Sequence, residues 1–167
     1  MHYAQIREID STNCLGVGVS IFVSGCTHHC KGCFNSETWD FKYGEEFTEK
    51  ELQTLKDLVS RDYIDCFSIL GGEPFEDNNI PTVLKIVREI RSIDKNLKIF
   101  IWSGYTFEQL IERPVCLEAL KLCDYLIDGE FKKELKDDKL VLRGSSNQRV
   151  IDLKKTFDNS KIFLINC

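Results

Sequence analysis

The stretch that decides the fold is Phe22-Val-Ser-Gly-Cys26-Thr-His-His-Cys30-Lys-Gly-Cys33-Phe-Asn35, which follows an apolar, β-type run. It places three cysteines at C-x3-C-x2-C spacing in a turn that contains glycine. Three thiolates this close in sequence can bind one metal centre, and thiolate is the ligand that iron–sulfur clusters select. Because a four-iron cluster needs four ligands, three cysteines leave one iron open to a small molecule, as in catalytic zinc sites.

Two other interpretations of this stretch have to be weighed. His28 or His29 could supply a fourth ligand, and the stretch would then form a small zinc knuckle. A disulfide among the three cysteines is disfavoured, because eight cysteines without a secretory leader indicate a reducing compartment. The choice depends on what the ends of the other strands carry.

Length and composition restrict the class of protein. The 167 residues are enough for one domain, residues 1–167, and are short of a closed eight-fold β/α barrel. The net charge is −5 and the basic residues are scattered, which argues against nucleic acid as the main partner. No apolar run reaches membrane-spanning length and the N-terminus lacks a signal peptide's apolar core, so we expect a cytoplasmic protein without a membrane partner.

The five cysteines outside the opening stretch fall at irregular intervals and form no second metal-ligand pattern. We expect each of them to be a structural, buried thiol. They are Cys14, Cys66, Cys116, Cys123 and Cys167.

Hydrophobic patterning predicts strands that alternate with helices. The predicted strands are residues 2–8 at an edge, Val19–Val23, Cys66–Leu70, Leu97–Trp102 and Tyr125–Ile127, with residues 161–165 as a last strand or a loosely held tail. The predicted helices run from the capping box at Thr48 to about Ser60, from about Pro81, from the capping box at Thr106, and from Pro114 to about Leu122. This order indicates right-handed βαβ units, and the predicted fold class is α/β: a single-domain, incomplete β/α barrel with a mainly parallel sheet.

The ends of the predicted strands carry the residues with recognisable chemistry. In parallel α/β sheets the ligand site lies at the C-terminal ends of the strands. Here these ends carry Cys26 with its partners, Gly71-Gly-Glu-Pro74, Ser103-Gly-Tyr105 and Asp128-Gly129. We therefore expect all four groups to lie on one rim.

The run Gly71-Gly-Glu-Pro74 suits the binding of an amino group. Gly71 and Gly72 have no side chain to keep a ligand away from the backbone. Glu73 offers a carboxylate acceptor for an ammonium group, and Pro74 fixes the exit of the turn. Taken alone, such a run is also typical of an ordinary strand-to-helix turn.

The cysteine spacing followed by Gly71-Gly-Glu-Pro74 resembles the radical S-adenosylmethionine (SAM) superfamily. The resemblance implies that Cys26, Cys30 and Cys33 ligate a 4Fe-4S cluster. It also implies that the open iron takes the amino and carboxylate groups of SAM, and that the Gly-Gly-Glu-Pro turn binds the amino group. An electron delivered to the cluster then breaks a C–S bond of SAM and releases methionine and a 5′-deoxyadenosyl radical.

Two further strand-end residues are candidates for the same site, although Ser and Asp at such positions are commonly turn formers or helix caps. The hypothesis is that Ser103 contacts the ribose or carboxylate of SAM and that Asp128 lines the exit of the radical. Many relatives in the superfamily have an aromatic residue where this chain has Gly32. Adenine is then expected to pack against Phe34 or Tyr105.

Nearly the whole chain is similar to the activating proteins of anaerobic ribonucleoside-triphosphate reductases. The residues that carry the similarity are Phe22-Val-Ser-Gly-Cys26, Cys30-Lys-Gly-Cys33-Phe-Asn35, Thr38-Trp39, Gly71-Gly-Glu-Pro74, Trp102-Ser-Gly-Tyr105, Asp128-Gly129 and Arg143-Gly-Ser-Ser-Asn-Gln148. The loop Asn13-Cys-Leu-Gly16 departs from the Asn-Gly-Pro-Gly that is common there. Composition alone would make the Arg143–Gln148 run an exposed polar loop.

This similarity implies an enzyme that abstracts hydrogen from a glycine of the anaerobic reductase, with a flavodoxin or ferredoxin as electron donor. The alternatives are another small radical SAM enzyme, of the 7-carboxy-7-deazaguanine synthase type, and an activase of a different glycyl radical enzyme. A non-enzymatic iron–sulfur carrier or a zinc module is the remaining class.

Overall fold

A computed structural model of the protein describes residues 1–165. The strands are β1 (His2–Asp10), β2 (Gly18–Val23), β3 (Glu45–Glu46), β4 (Cys66–Gly71), β5 (Lys98–Trp102), β6 (Tyr125–Asp128) and β7 (Arg149–Asp152). The helices are α1 (Glu49–Val59), α2 (Ile80–Ile93), α3 (Phe107–Ile111), α4 (Pro114–Leu122) and α5 (Leu153–Asn159). Two short 3-10 helices span Ser36–Trp39 and Lys133–Leu135. No helix among residues 1–165 is long and apolar enough to cross a bilayer.

All seven strands belong to one open sheet in the order β3-β1-β2-β4-β5-β6-β7. The four central strands, β2, β4, β5 and β6, are parallel, while β1 and β7 join them in antiparallel pairs. The ends of β2 and β4 are in register, with Val23 opposite Gly71. The predicted α/β class and its parallel centre are confirmed, and the C-terminal ends of the parallel strands lie on the same rim.

Side chains alternate along each strand, so every strand contributes to both faces of the sheet. The two faces are covered by different parts of the chain. Along β2, Val19, Ile21 and Val23 join the large core that includes the buried residues of α1, α2 and α4. A second, smaller cluster contains buried residues from several strands together with Cys14 and Leu142, which come from loops. Loops rather than helices therefore cover that second cluster, and a pocket lies beside them.

Both predicted capping boxes are present. The backbone N–H of Thr48 donates to Glu51 at 2.8 Å, and that of Thr106 donates to Gln109 Oε1 at 2.8 Å. Each box satisfies N–H groups that a helix leaves free in its first turn. The local sequence thus determines where α1 and α3 begin.

The C-terminal part contains elements that the patterning did not predict, namely β7 and α5. The carboxylate of Asp152 caps α5 by accepting a hydrogen bond from the N–H of Lys155 at 2.9 Å. Residues 161–165 run beside β7, where Ile165 N–H donates to the Val150 carbonyl at 2.8 Å. This tail therefore pairs with the sheet edge without forming a regular strand.

The expectation of free thiols is wrong for Cys14 and Cys66, which form a disulfide with a Cα–Cα distance of 6.4 Å. The loop before β2 brings Cys14 against the first residue of β4, and Gly18 leaves room for the two sulfur atoms. Cys116 and Cys123 are free and buried, as expected. Cys167 lies outside the described residues.

Candidate functional site

A pocket of about 430 Å³ lies at the rim where the parallel strands end. Its volume is in the range of small-molecule sites. Seven of the residues predicted from sequence line it: Cys26, Cys30, Cys33, Gly71, Gly72, Glu73 and Ser103. Pro74 and Asp128 are not among its lining residues, and of the two aromatic candidates for adenine Phe34 lines it whereas Tyr105 does not.

The three cysteines reach the pocket from a loop that the backbone holds in place. Gly25 N–H donates to the Thr38 carbonyl at 2.7 Å, which anchors the loop just before Cys26. Burial raises the pKa of the Cys26 thiol to about 11, and it also raises the pKa of Cys30. Thiolates at these positions consequently need a cation beside them, which is what a metal centre supplies.

The donor set fits an iron–sulfur cluster in its chemistry, because three free thiols face one pocket. Among residues 1–165, no group of three or more His, Cys, Asp or Glu side chains is already positioned to hold a metal ion. The imidazole of His29 is exposed and stacks on Trp39, with 4.7 Å between the ring centroids.

The two glycines of the Gly-Gly-Glu-Pro turn are required by the packing of two strand ends. Gly71 has φ +111°, and a Cβ atom there would lie 2.6 Å from the Val23 carbonyl oxygen. A Cβ atom on Gly72 would lie 2.7 Å from the carbonyl oxygen of Gly25. The N–H groups of Gly72 and Glu73 donate to these two carbonyls, at 2.7 and 2.8 Å. The turn is thereby bonded to the chain that leads to Cys26.

The carboxylate of Glu73 ties β4 to β5. It is 1% exposed and accepts hydrogen bonds from Phe75 N–H at 2.9 Å, Ser103 Oγ at 3.0 Å and Gly104 N–H at 2.7 Å. The sequence predicted that this carboxylate would accept hydrogen bonds from the ammonium group of a ligand. In the structure its two oxygens already accept hydrogen bonds from three protein donors, and Ser103 is one of them.

His28 extends this connection to the end of β6. Its Nδ1 lies 3.0 Å from Glu130 Oε1, and its Nε2 makes a 3.2 Å contact with Glu73 Oε2 that is not aligned as a hydrogen bond. Interaction with the Glu73 carboxylate, opposed by burial and aided by Glu130, raises the pKa of His28. The sequence offered His28 as a possible fourth ligand of a zinc knuckle, and this bridging position was not predicted.

Two buried polar residues that sequence reasoning missed hold the cysteine loop on the turn. Asn79 Nδ2 donates to the carbonyls of Ser24 and Glu73, both at 3.0 Å. Glu76 Oε1 accepts from the N–H and Oγ1 of Thr27, at 2.8 and 2.6 Å. Both follow the Gly-Gly-Glu-Pro run within six residues, and that proximity is the only signal in the sequence.

The Asn79→Ala substitution is expected to lower the free energy of unfolding by about 2 kcal/mol, because buried carbonyls lose their donor. Chemical denaturation measures the change. Asn78→Ala is the matched control, because Asn78 is exposed whereas Asn79 is buried. Equal stability of the two variants would contradict the role given to Asn79.

Asp128 is placed in a salt bridge instead of the pocket lining. It is 1% exposed, and its carboxylate accepts from Phe107 N–H at 2.7 Å and from Arg149 Nε at 2.9 Å. Arg149 also pairs with Glu108 at 2.8 Å, and the two carboxylates, Asp128 first, raise the pKa of the guanidinium. These contacts join β6, β7 and α3. The hypothesis that Asp128 lines the exit of a radical stays a prediction.

We expect Asp128→Asn to lower the free energy of unfolding by about 2 kcal/mol, because a buried ion pair loses its charge. The affinity of the pocket for a small molecule should change less than about threefold, since the side chain is not in the pocket lining. Glu108→Gln is the control, because Glu108 is an exposed partner of the same arginine. It should lower the free energy of unfolding by less than about 1 kcal/mol. Unchanged stability with lost ligand affinity would show instead that Asp128 contacts the ligand.

The run of residues 143–148 forms a wall of the pocket and is not an exposed loop. Ser145 is fully buried. Gln148 Oε1 accepts from Gly144 N–H at 2.9 Å, and Gln148 Nε2 donates to the Gly129 carbonyl at 2.9 Å. The run is thereby fastened to the end of β6.

An α/β protein that presents three free cysteines to a pocket at its strand ends has the ligand set of an iron–sulfur protein. Residues 12–151 match the family model described as a 4Fe-4S single cluster domain. The fold and the site thus define the class of 4Fe-4S proteins.

Curated relatives cover nearly the whole chain. The anaerobic ribonucleoside-triphosphate reductase-activating protein of Escherichia coli (strain K12) is 38% identical over 159 residues, which is 92% of this chain and 100% of the relative. The protein of that name from Enterobacteria phage T4 is 36% identical over 150 residues, 90% of this chain and 93% of the relative. The Pasteurella multocida protein is 37% identical over 150 residues, covering 89% and 95%. The chain belongs to the family of anaerobic ribonucleoside-triphosphate reductase-activating proteins.

Proposed function

We propose that this chain is a radical SAM activase that generates a glycyl radical on an anaerobic ribonucleoside-triphosphate reductase. The observation that carries the proposal is that Cys26, Cys30 and Cys33 line one pocket with Gly71 and Gly72, at the adjacent ends of β2 and β4. A cluster ligated by the cysteines and SAM bound beside it would, once reduced, supply a 5′-deoxyadenosyl radical. The names of the relatives point to the reductase as partner.

The residues of the chain hold, orient and shield these groups. The cysteine loop is fixed by backbone bonds and by Asn79, so the three thiols are presented from one side of the pocket. Burial keeps Cys26 protonated in the free protein, and its proton leaves when a metal centre binds. The turn at Gly71 brings backbone close to the same space, which suits an amino group that needs carbonyl acceptors.

We assign the fold to the incomplete β/α barrel of the radical SAM type. Its sheet is open, with β3 and β7 at the edges. An open sheet suits a substrate that is a segment of another protein, because the pocket does not have to enclose the whole substrate. A flavodoxin- or ferredoxin-type protein is the proposed electron donor.

The proposal is tested anaerobically with a reconstituted and reduced cluster. SAM is added with and without the cognate reductase, and 5′-deoxyadenosine and the electron paramagnetic resonance spectrum are recorded. A doublet glycyl radical on the reductase is expected. SAM cleavage without that radical would instead favour an enzyme of the 7-carboxy-7-deazaguanine synthase type or an activase of another partner. Tight binding of one zinc ion without SAM binding would favour a zinc module.

A further inference from the structure

Arg143 differs from every other arginine in the part of the chain that the structure describes. The sequence contains seven arginines, and six of them have a carboxylate oxygen within 3.6 Å. Arg143 has no such partner among residues 1–165. Its one hydrogen bond there runs from Nη1 to the Gln148 carbonyl at 2.9 Å, and its Nε is buried without an acceptor. A buried donor of a charged group is normally paired, and the described residues supply no acceptor for this Nε.

The position of Arg143 connects it to the proposed cluster site. It lines the pocket together with Gly144 and Gln148. A Cβ atom on Gly144 would lie 3.6 Å from the ring of Phe34, which follows Cys33 directly. The wall that carries Arg143 therefore packs beside the cysteine loop.

The other charged groups of the pocket are already paired. Arg7 lies 3.6 Å from Asp10 and sits over the ring of Phe22, with 4.5 Å to its centroid. Glu73 accepts hydrogen bonds from three protein donors. Arg143 is thus the cation of this pocket that has no anion in the described chain. A guanidinium in that state matches the planar, bidentate geometry of a carboxylate.

We propose that Arg143 binds the carboxylate of the methionine part of SAM. This inference rests on the proposed function, because it takes SAM as the ligand of the pocket. It also explains why a polar run far from the cysteines in sequence forms the pocket wall: Gln148 fixes the loop to Gly129 and holds the arginine with its own carbonyl. The other source of a carboxylate would be an acidic side chain of the protein substrate.

The test is equilibrium binding of SAM and of decarboxylated SAM to the reconstituted, unreduced protein without the reductase. For Arg143→Gln, we expect SAM to bind about 10- to 100-fold more weakly, as for the loss of charge-assisted hydrogen bonds. Decarboxylated SAM should change less than about threefold. Arg143→Lys keeps the positive charge but lacks the planar, bidentate guanidinium. It should lower the affinity for SAM by an intermediate factor and leave the affinity for decarboxylated SAM unchanged. Arg88→Gln is the matched control, an exposed arginine on α2 that should alter neither affinity.

Equal weakening of both ligands in Arg143→Gln would overturn the inference, since it would mean that Arg143 only supports the loop. Unchanged SAM affinity in Arg143→Gln would also overturn it, and weaker binding of the reductase by that variant, measured separately, would assign the carboxylate to the protein substrate. If the wild-type protein bound no SAM at all, the proposed function itself would fail. The three results are distinct, so failure of the inference is separable from failure of the function.

Discussion

Replacing Cys30 with alanine is expected to reduce both 5′-deoxyadenosine formation and the glycyl radical signal to background. Two remaining cysteines cannot provide the three thiolates that hold a four-iron cluster with one open iron. The iron and sulfide content after anaerobic reconstitution should fall together with the activity. The measurements are metal analysis, product quantification and electron paramagnetic resonance of the reductase.

The control for this variant is Cys116→Ala. Cys116 is also a free cysteine, but it is buried in α4 and does not line the pocket. Removing its sulfur atom should cost about 1 kcal/mol of stability through lost packing and leave the cluster intact. If Cys30→Ala kept a full cluster and cleaved SAM, the assignment of the three cysteines would be wrong. If it lost one zinc ion instead of iron, the zinc knuckle would be the better description.

The strand ends could be predicted from the sequence because their signals are local. A short, mostly apolar run bounded by turn residues is typical of a strand buried on both faces, and the runs before Cys26 and Gly71 are of that kind. Four such strands alternate with helices, and this order indicates a parallel sheet. The common rim of the candidate site then follows from topology, without any knowledge of side-chain contacts.

The parts that could not be predicted depend on contacts between distant residues. Asn79 donates to the carbonyl of Ser24, 55 residues away, and nothing near it in sequence indicates this. The disulfide of Cys14 and Cys66 spans 52 residues and depends on how the loop before β2 folds back. Polar side chains in turns are normally solvated, so composition assigned the run at Arg143 to the surface.

The residues at the strand ends have two different roles in the site. Cysteines and glycines line the pocket, and the acidic residues Glu73 and Asp128 accept hydrogen bonds from protein donors. Glu73 and Glu76 accept backbone N–H groups in loops that follow strands, and Asp128 accepts that of Phe107 at the start of α3. Since charged acceptors make the stronger hydrogen bonds, these carboxylates fix the positions of the groups that would contact ligands.

The second large effect is expected for Glu73→Gln. Each oxygen of Glu73 accepts from a backbone N–H, that of Phe75 on Oε1 and that of Gly104 on Oε2. A glutamine has one oxygen, so its amide nitrogen must face one of these donors and leave it unpaired. We expect the free energy of unfolding to fall by about 2 to 4 kcal/mol. SAM affinity should fall by at least about tenfold, because the ends of β4 and β5 are no longer held together.

Glu130→Gln provides a matched control, because both carboxylates contact the ring of His28. The Glu130 side chain is 56% exposed. Removing its charge should lower the free energy of unfolding by less than about 1 kcal/mol. Urea denaturation and anaerobic SAM titration of the two variants separate two roles for Glu73. A loss of both stability and SAM affinity in Glu73→Gln identifies a positioning carboxylate. A fully stable Glu73→Gln protein that no longer binds SAM would show instead that the carboxylate contacts the amino group directly.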